Sequence, residues 1–141
     1  MTEVAPESTP ARLALVTGRL NRRLTAATGG LSHGLLSALA TVAKHGPLRL
    51  AELAQFELVA APGVTRIVAE LESRGLVTRS VDPDDGRAQR IEVTPAGTEA
   101  VQRARAARAC AIAELLEGLD ETDLRAIEAA LPALERMLGP L

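Results

Sequence analysis

Apolar positions along this chain follow two periods, and the change between them divides it into elements. From Ala11 to Thr28, Leu13, Val16, Leu20, Leu24 and Ala27 recur at steps of three and four, which places them on one face of a helix. Gly29-Gly30 ends that run. Ser32 is placed to cap a second helix carrying Leu35, Leu36, Leu39 and Val42, which stops at His45-Gly46-Pro47. A short third helix over Leu50 to about Glu57 has Leu50, Leu53 and Ala54 on one side. A fourth opens with Pro62 in its first turn, carries Val64, Ile67, Val68 and Leu71, and closes at Arg74-Gly75. The period then shortens to two. Leu76–Val81 and Ala88–Val93 read as strands, and the polar link Asp82-Pro83-Asp84-Asp85-Gly86-Arg87 makes them a hairpin. Thr94-Pro95 starts a long fifth helix to about Gly118. Asp120 caps a sixth, with Leu124, Ile127, Leu131, Leu134 and Leu138 in a three-four seam, in which Pro132 is expected to bend or weaken the middle.

Composition narrows the class. The chain has 141 residues, 47% of them apolar, with Phe56 the single aromatic. Its apolar content is mostly Ala (26) and Leu (22), strong helix formers, so a mainly α protein with a small β-hairpin is expected. No run is long enough to span a membrane, and the N-terminus lacks a basic-then-apolar signal pattern, so a soluble, cytoplasmic protein is expected. Residues 1–10 carry Pro6 and Pro10 without apolar periodicity and read as a flexible tail. One cysteine, Cys110, and two histidines, about 18 Å apart at the ends of one helix, leave no basis for a disulfide framework or a metal site. No nucleophile–base pair or phosphate-cradling glycine loop is present, so neither an enzyme nor a cofactor is expected. The net charge of −2 argues against a general polycation binder, but the first 50 residues hold six basic residues against two acidic. Fifteen of the sixteen basic residues are Arg, whose planar fork suits phosphate and guanine edges.

The order helix, tight turn, helix, hairpin is that of a helix–turn–helix followed by a wing. In such a lobe the second helix enters the DNA major groove and an Arg-tipped hairpin reaches the adjoining minor groove. Ala60-Ala61-Pro62-Gly63 offers the small side chains that close approach to DNA needs, and Thr65 and Arg66 offer donors on the exposed face. Each has a competing structural role. Arg66 can pair with Glu70 four residues on, and Asp84-Asp85-Gly86-Arg87 can be an ordinary turn.

At these residues a family resemblance becomes specific. Leu50-Ala51-Glu52-Leu53-Ala54, Val64-Thr65-Arg66-Ile67-Val68, Leu71-Glu72-Ser73-Arg74-Gly75-Leu76-Val77, the wing Asp82–Arg87 and Val93-Thr94-Pro95-Ala96-Gly97 follow in order. Together they resemble the winged helix of the multiple-antibiotic-resistance regulator (MarR) family of bacterial repressors. The resemblance implies a domain over 11–139, with a winged helix–turn–helix at about 47–94 and dimerisation helices at about 11–28, 95–118 and 121–138. It implies major-groove contacts from Pro62, Gly63, Thr65 and Arg66, and a minor-groove Arg87 held by the Asp85 carboxylate. Phosphate contacts fall to Arg49, Arg74 and Arg90. The apolar seams predict a homodimer through Leu13, Val16, Leu20, Leu124, Ile127, Leu131, Leu134 and Leu138, reading an inverted repeat in double-stranded DNA. The resemblance further implies a regulator, most often a repressor, released by a small aromatic or phenolic effector. That effector's pocket would be lined from the first, second and fifth helices by residues the sequence does not single out. A winged-helix protein-interaction module without DNA binding is the competing reading, because the chain is acidic overall and the reading helix starts without the usual Ser or Thr cap. Cys110 reads as a small interface residue.

Overall fold

The computed structural model describes residues 4–139; of the expected tail, residues 1–3 fall outside that range. Six helices and three short strands follow in order: α1 (Thr9–Ala27), α2 (His33–His45), β1 (Leu48–Arg49), α3 (Leu50–Glu57), α4 (Ala61–Ser73), β2 (Val77–Val81), β3 (Gln89–Val93), α5 (Pro95–Leu116) and α6 (Glu121–Leu138). The molecule is mainly helical with a small antiparallel sheet, as the periodicity predicts. One boundary changes. The ordered helix begins at Thr9, inside the predicted tail, with Pro10 in its first turn. A helix's first N–H groups have no partner within the helix, so a Pro there forfeits no bond. Pro132 lies within α6, which runs through it without interruption.

The caps read from the sequence are in place. The Ser32 hydroxyl accepts from the Leu35 N–H, the Thr94 hydroxyl from Gly97 and the Asp120 carboxylate from Asp123. Gly75 ends α4 with φ +73°, its N–H donating to Glu72 while the Leu76 N–H reaches the Leu71 carbonyl. This left-handed exit turns the chain directly into β2.

The sheet has the order β1-β3-β2, so the hairpin gains a third strand that the sequence reading lacked. Leu48 pairs with Ile91 and Arg49 with Arg90. Two residues are too few to show a period of two, which is why β1 left no signal. A core of Leu39, Val42, Leu48, Leu53, Val64, Val68, Leu71, Val77 and Ile91 joins α2, α3, α4 and the sheet into one lobe. Val101 ties the first half of α5 to that core, and Leu31, Leu36 and Ala104 form a smaller cluster beside it. The rest of the chain is different. No residue of α6 is buried, and Leu24 alone is buried on α1.

Candidate nucleic-acid interface

The reading helix is presented by its apolar stripe. Val64, Val68 and Leu71 are buried, which turns Thr65 and Arg66 outward; both are exposed, as is Pro62, while Gly63 is half-covered. Ala60 is the N-cap and makes no side-chain cap bond. Here the Gly63 and Val64 N–H groups are taken up by the Ala60 carbonyl at 2.9 and 3.2 Å. The Thr65 hydroxyl donates to the Ala61 carbonyl at 3.0 Å, which leaves its lone pairs for an incoming donor. Glu70, the competing partner for Arg66, is bound instead by the Arg74 Nε at 2.8 Å.

The wing is built on Asp82, which nothing in the sequence distinguishes from the other turn carboxylates. Its side chain is 2% exposed. It accepts from the Asp84 N–H at 2.9 Å and from the Arg49 Nε at 2.6 Å, with the Arg90 Nε 3.9 Å away. Arg49 and Arg90 face each other across β1 and β3. Two like charges in that register repel, and the carboxylate between them makes the pairing favourable. The Asp84 N–H bond, then the Arg49 bond, holds the Asp82 carboxyl below its usual range; the Arg49 bond in turn raises the guanidinium's pKa. What sets Asp82 apart from Asp84 and Asp85 is its burial, a tertiary property.

At the tip, Asp85 acts through the backbone. Its carboxylate accepts from the Arg87 N–H at 3.0 Å, and the Ala88 N–H closes the turn onto the Asp85 carbonyl. In the chain without DNA, Asp85 thus shapes the turn and the Arg87 side chain, which the resemblance gives to this carboxylate in the minor groove, is exposed.

The ion pairs sort the arginines of the lobe. Arg49 and Arg90 share Asp82, Arg74 binds Glu70 and reaches the Gly30 carbonyl at 3.3 Å, and Arg79 lies 3.1 Å from Glu72. Among the described residues Arg66 and Arg87 have no carboxylate partner. The guanidiniums assigned to phosphates, at Arg49, Arg74 and Arg90, are each partly engaged within the chain, although Arg49 remains 43% exposed.

A cavity of about 430 Å³ lies behind the lobe, where the end of α1 meets α5. It is lined by Ala27, Thr28, Leu31, Leu76, Ala100 and Ala104, with Arg74 and Arg103 at its polar side. Its walls come from the ends of α1 and α4 and from α5.

An outward-facing reading helix, a hairpin with a free Arg at its tip and a sheet that fixes the two together make this a winged helix–turn–helix protein of the DNA-binding class. The sequence profile of the MarR family matches residues 31–88. The HTH-type transcriptional regulator Mb0904 of Mycobacterium bovis is 37% identical over 113 residues, 79% of each chain. The chain belongs to the MarR family of transcriptional regulators. A transcriptional regulator from Pseudomonas aeruginosa superposes with a TM-score of 0.71 at 25% identity, over 92% of this chain and 98% of that one. CouR of Rhodococcus jostii RHA1, solved with p-coumaroyl-CoA bound, has the same fold: TM-score 0.67 and 24% identity over 94% and 95% of the two chains. No helix among the described residues is long and apolar enough to cross a membrane.

Proposed function

We propose that this MarR-family regulator acts as a homodimer on an inverted-repeat operator and represses from it, until a small amphiphilic aromatic effector releases it. One observation carries the DNA surface. The lobe holds six arginines, and the two that lack a carboxylate partner among the described residues are Arg66 on the reading helix and Arg87 at the wing tip. A guanidinium kept free of intrachain pairs brings its full charge to a base edge or a narrow groove. Thr65 sits beside Arg66, and Pro62 and Gly63 keep the entering end slim. Arg49, Arg74 and Arg90 contribute phosphate contacts with the donors their ion pairs leave over.

Two half-sites spaced by roughly 10 bp, one turn of the duplex, suit a two-fold dimer. The uncovered apolar residues of α1 and α6 support that state: Val16 is 59% exposed, Ile127 40%, Leu131 46% and Leu138 71%, with Leu13, Leu20, Leu124 and Leu134 half-buried. The cavity between α1, α5 and the end of α4 is the effector site. Its apolar lining suits a ring, and its two guanidiniums, each shared with a glutamate four residues away, suit an acidic group, and CouR supplies a precedent for an aromatic acyl ligand on this fold. Arg74 belongs both to that cavity and to the C-terminus of the reading helix. A ligand that draws it from Glu70 therefore binds better to one placement of α4 than to another, which is the differential affinity control requires.

Mobility shifts on the DNA upstream of its own gene test the proposal. Arg87→Ala should weaken binding several-fold and relax any preference for a narrow A·T minor groove. Arg66→Ala should reduce discrimination between sites more than nonspecific affinity. Binding that is unaltered by both changes, or absent from every duplex tried, removes this surface and leaves the protein-interaction reading.

A further inference from the structure

We infer that the second copy of the chain is seated by charge as well as by apolar contact, with an arginine edge on α1 meeting a glutamate edge on the partner's α6. The inference rests on the homodimer proposed above and specifies which surfaces meet.

α1 carries Arg12, Arg19, Arg22 and Arg23 and no acidic residue. Among the described residues none of the four makes an ion pair, whereas most arginines of the winged lobe do. Arg12, Arg19 and Arg23 are spaced seven and four, so they lie within about 40° of one another on the helix. Their edge flanks the seam Leu13–Val16–Leu20–Leu24, on the side where Val16 is uncovered, and two shallow grooves run along it. The C-terminal end of α1 lies beside Arg74, through the Gly30 carbonyl. That is the far end of α4, about 20 Å of helix from Ala60–Gly63, so these arginines are not part of the DNA face.

α6 is the complement. It holds Glu121, Asp123, Glu128 and Glu135 against Arg125 and Arg136. Glu121, Glu128 and Glu135 are spaced seven and seven, again within about 40° of one another, and they flank the α6 apolar seam. Glu121 is bound by Arg125, and Glu128 and Glu135 have no partner among the described residues. α6 packs little against any other element and has no fully buried residue among those described, so both its apolar seam and its acidic edge are open to a cover. Each charged edge stands about 80° from its seam, on opposite sides when the two helices are viewed along the same direction. Seams packed face to face then bring arginine against glutamate when α1 and the partner's α6 run parallel, as flanking charges do in a parallel coiled coil. Two-fold symmetry makes the contact twice, so pairs of small individual worth are doubled.

Charge reversal in the full-length chain provides the test, read by sedimentation equilibrium. Wild-type dimer dissociation should strengthen several-fold between 50 mM and 500 mM NaCl, because exposed pairs are screened. Arg19→Glu with Arg23→Glu, and separately Glu128→Arg with Glu135→Arg, should each weaken self-association at least tenfold while leaving the helical circular dichroism unchanged. Mixed one to one, the two double variants should form a heterodimer within about threefold of wild-type affinity, because both symmetry-related contacts are then complementary. Variants that dimerise as well as wild type, or a mixture that fails to recover, overturn the pairing while the dimer stands. A monomeric wild-type protein overturns the dimer itself, and the pairing with it.

Discussion

Asp82 shows how one side chain sets the shape of the wing. Its carboxylate sits between two arginines that the strand register forces together, and it also takes the Asp84 N–H at the start of the turn. Its pKa is held below the usual aspartate range, first by that N–H bond and then by Arg49. A depressed carboxyl stabilises the fold fully above its unfolded value, about 3.9, and the contribution disappears as pH falls through the folded value. Asp82→Asn should therefore lower the melting temperature at pH 7, with the gap to wild type narrowing below about pH 4; thermal melts from pH 7 to pH 2 check this. A gap that stays constant with pH would show that Asp82 acts through packing alone. Leu58 is the opposite case. It is 93% exposed and holds φ +53° in the turn between α3 and α4, where a side chain buries almost nothing and the left-handed backbone costs it about 1 kcal/mol. Leu58→Gly is expected to leave the fold intact and to raise stability by up to about 1 kcal/mol in urea titrations.

The link that matters among the elements is the exit from the wing. Thr94 donates its hydroxyl to the Gly75 carbonyl at 2.7 Å, accepts from Gly97 at 3.0 Å and sends its own N–H to the Leu76 carbonyl. One residue thus joins the end of the reading helix, the end of β3 and the first turn of α5. Gly97 is packed so tightly there that a Cβ would collide with the Leu76 carbonyl oxygen and lie 2.8 Å from Val93. The first of these is backbone and cannot swing aside. Gly97→Ala should cost about 3 kcal/mol or more, as overpacking of a rigid site does, and should impair DNA binding together with stability. Denaturation and mobility shifts on one preparation test both. Most helix ends were legible beforehand because caps are local: Ser32, Thr94 and Asp120 each bond three residues ahead, within reach of a sequence pattern. β1 was not legible, because a two-residue strand exists only through its pairing with β3.

At the scale of the molecule, α1, α6 and the outer half of α5 form an arm with little of its own to pack against. Ile127→Glu or Leu131→Glu places a charge in the α6 seam. Either should shift the mass measured by size-exclusion with light scattering from twice the chain weight toward one chain weight, with DNA affinity falling in step. A variant still at twice the chain weight would remove α6 from the contact. The arm and the winged lobe meet at the cavity lined by Arg74 and Arg103. A ligand bound there would touch the end of the reading helix and the root of the arm together.

The helices, the hairpin and the residues that face outward on α4 follow from periodicity and local capping, since each depends on neighbours within a few positions. Arg66 and Arg87 could be named from the chain alone for that reason, although each retained a rival role as an ion-pair partner or turn residue. Only the packed molecule shows which groups the neighbouring carboxylates bind. Glu70 turned to Arg74, Asp85 bonded backbone instead of guanidinium, and Asp82 became the buried anchor. Which of several carboxylates meets which arginine depends on through-space distances across 33 residues of chain, as for Arg49 and Asp82, and no local pattern encodes such a distance.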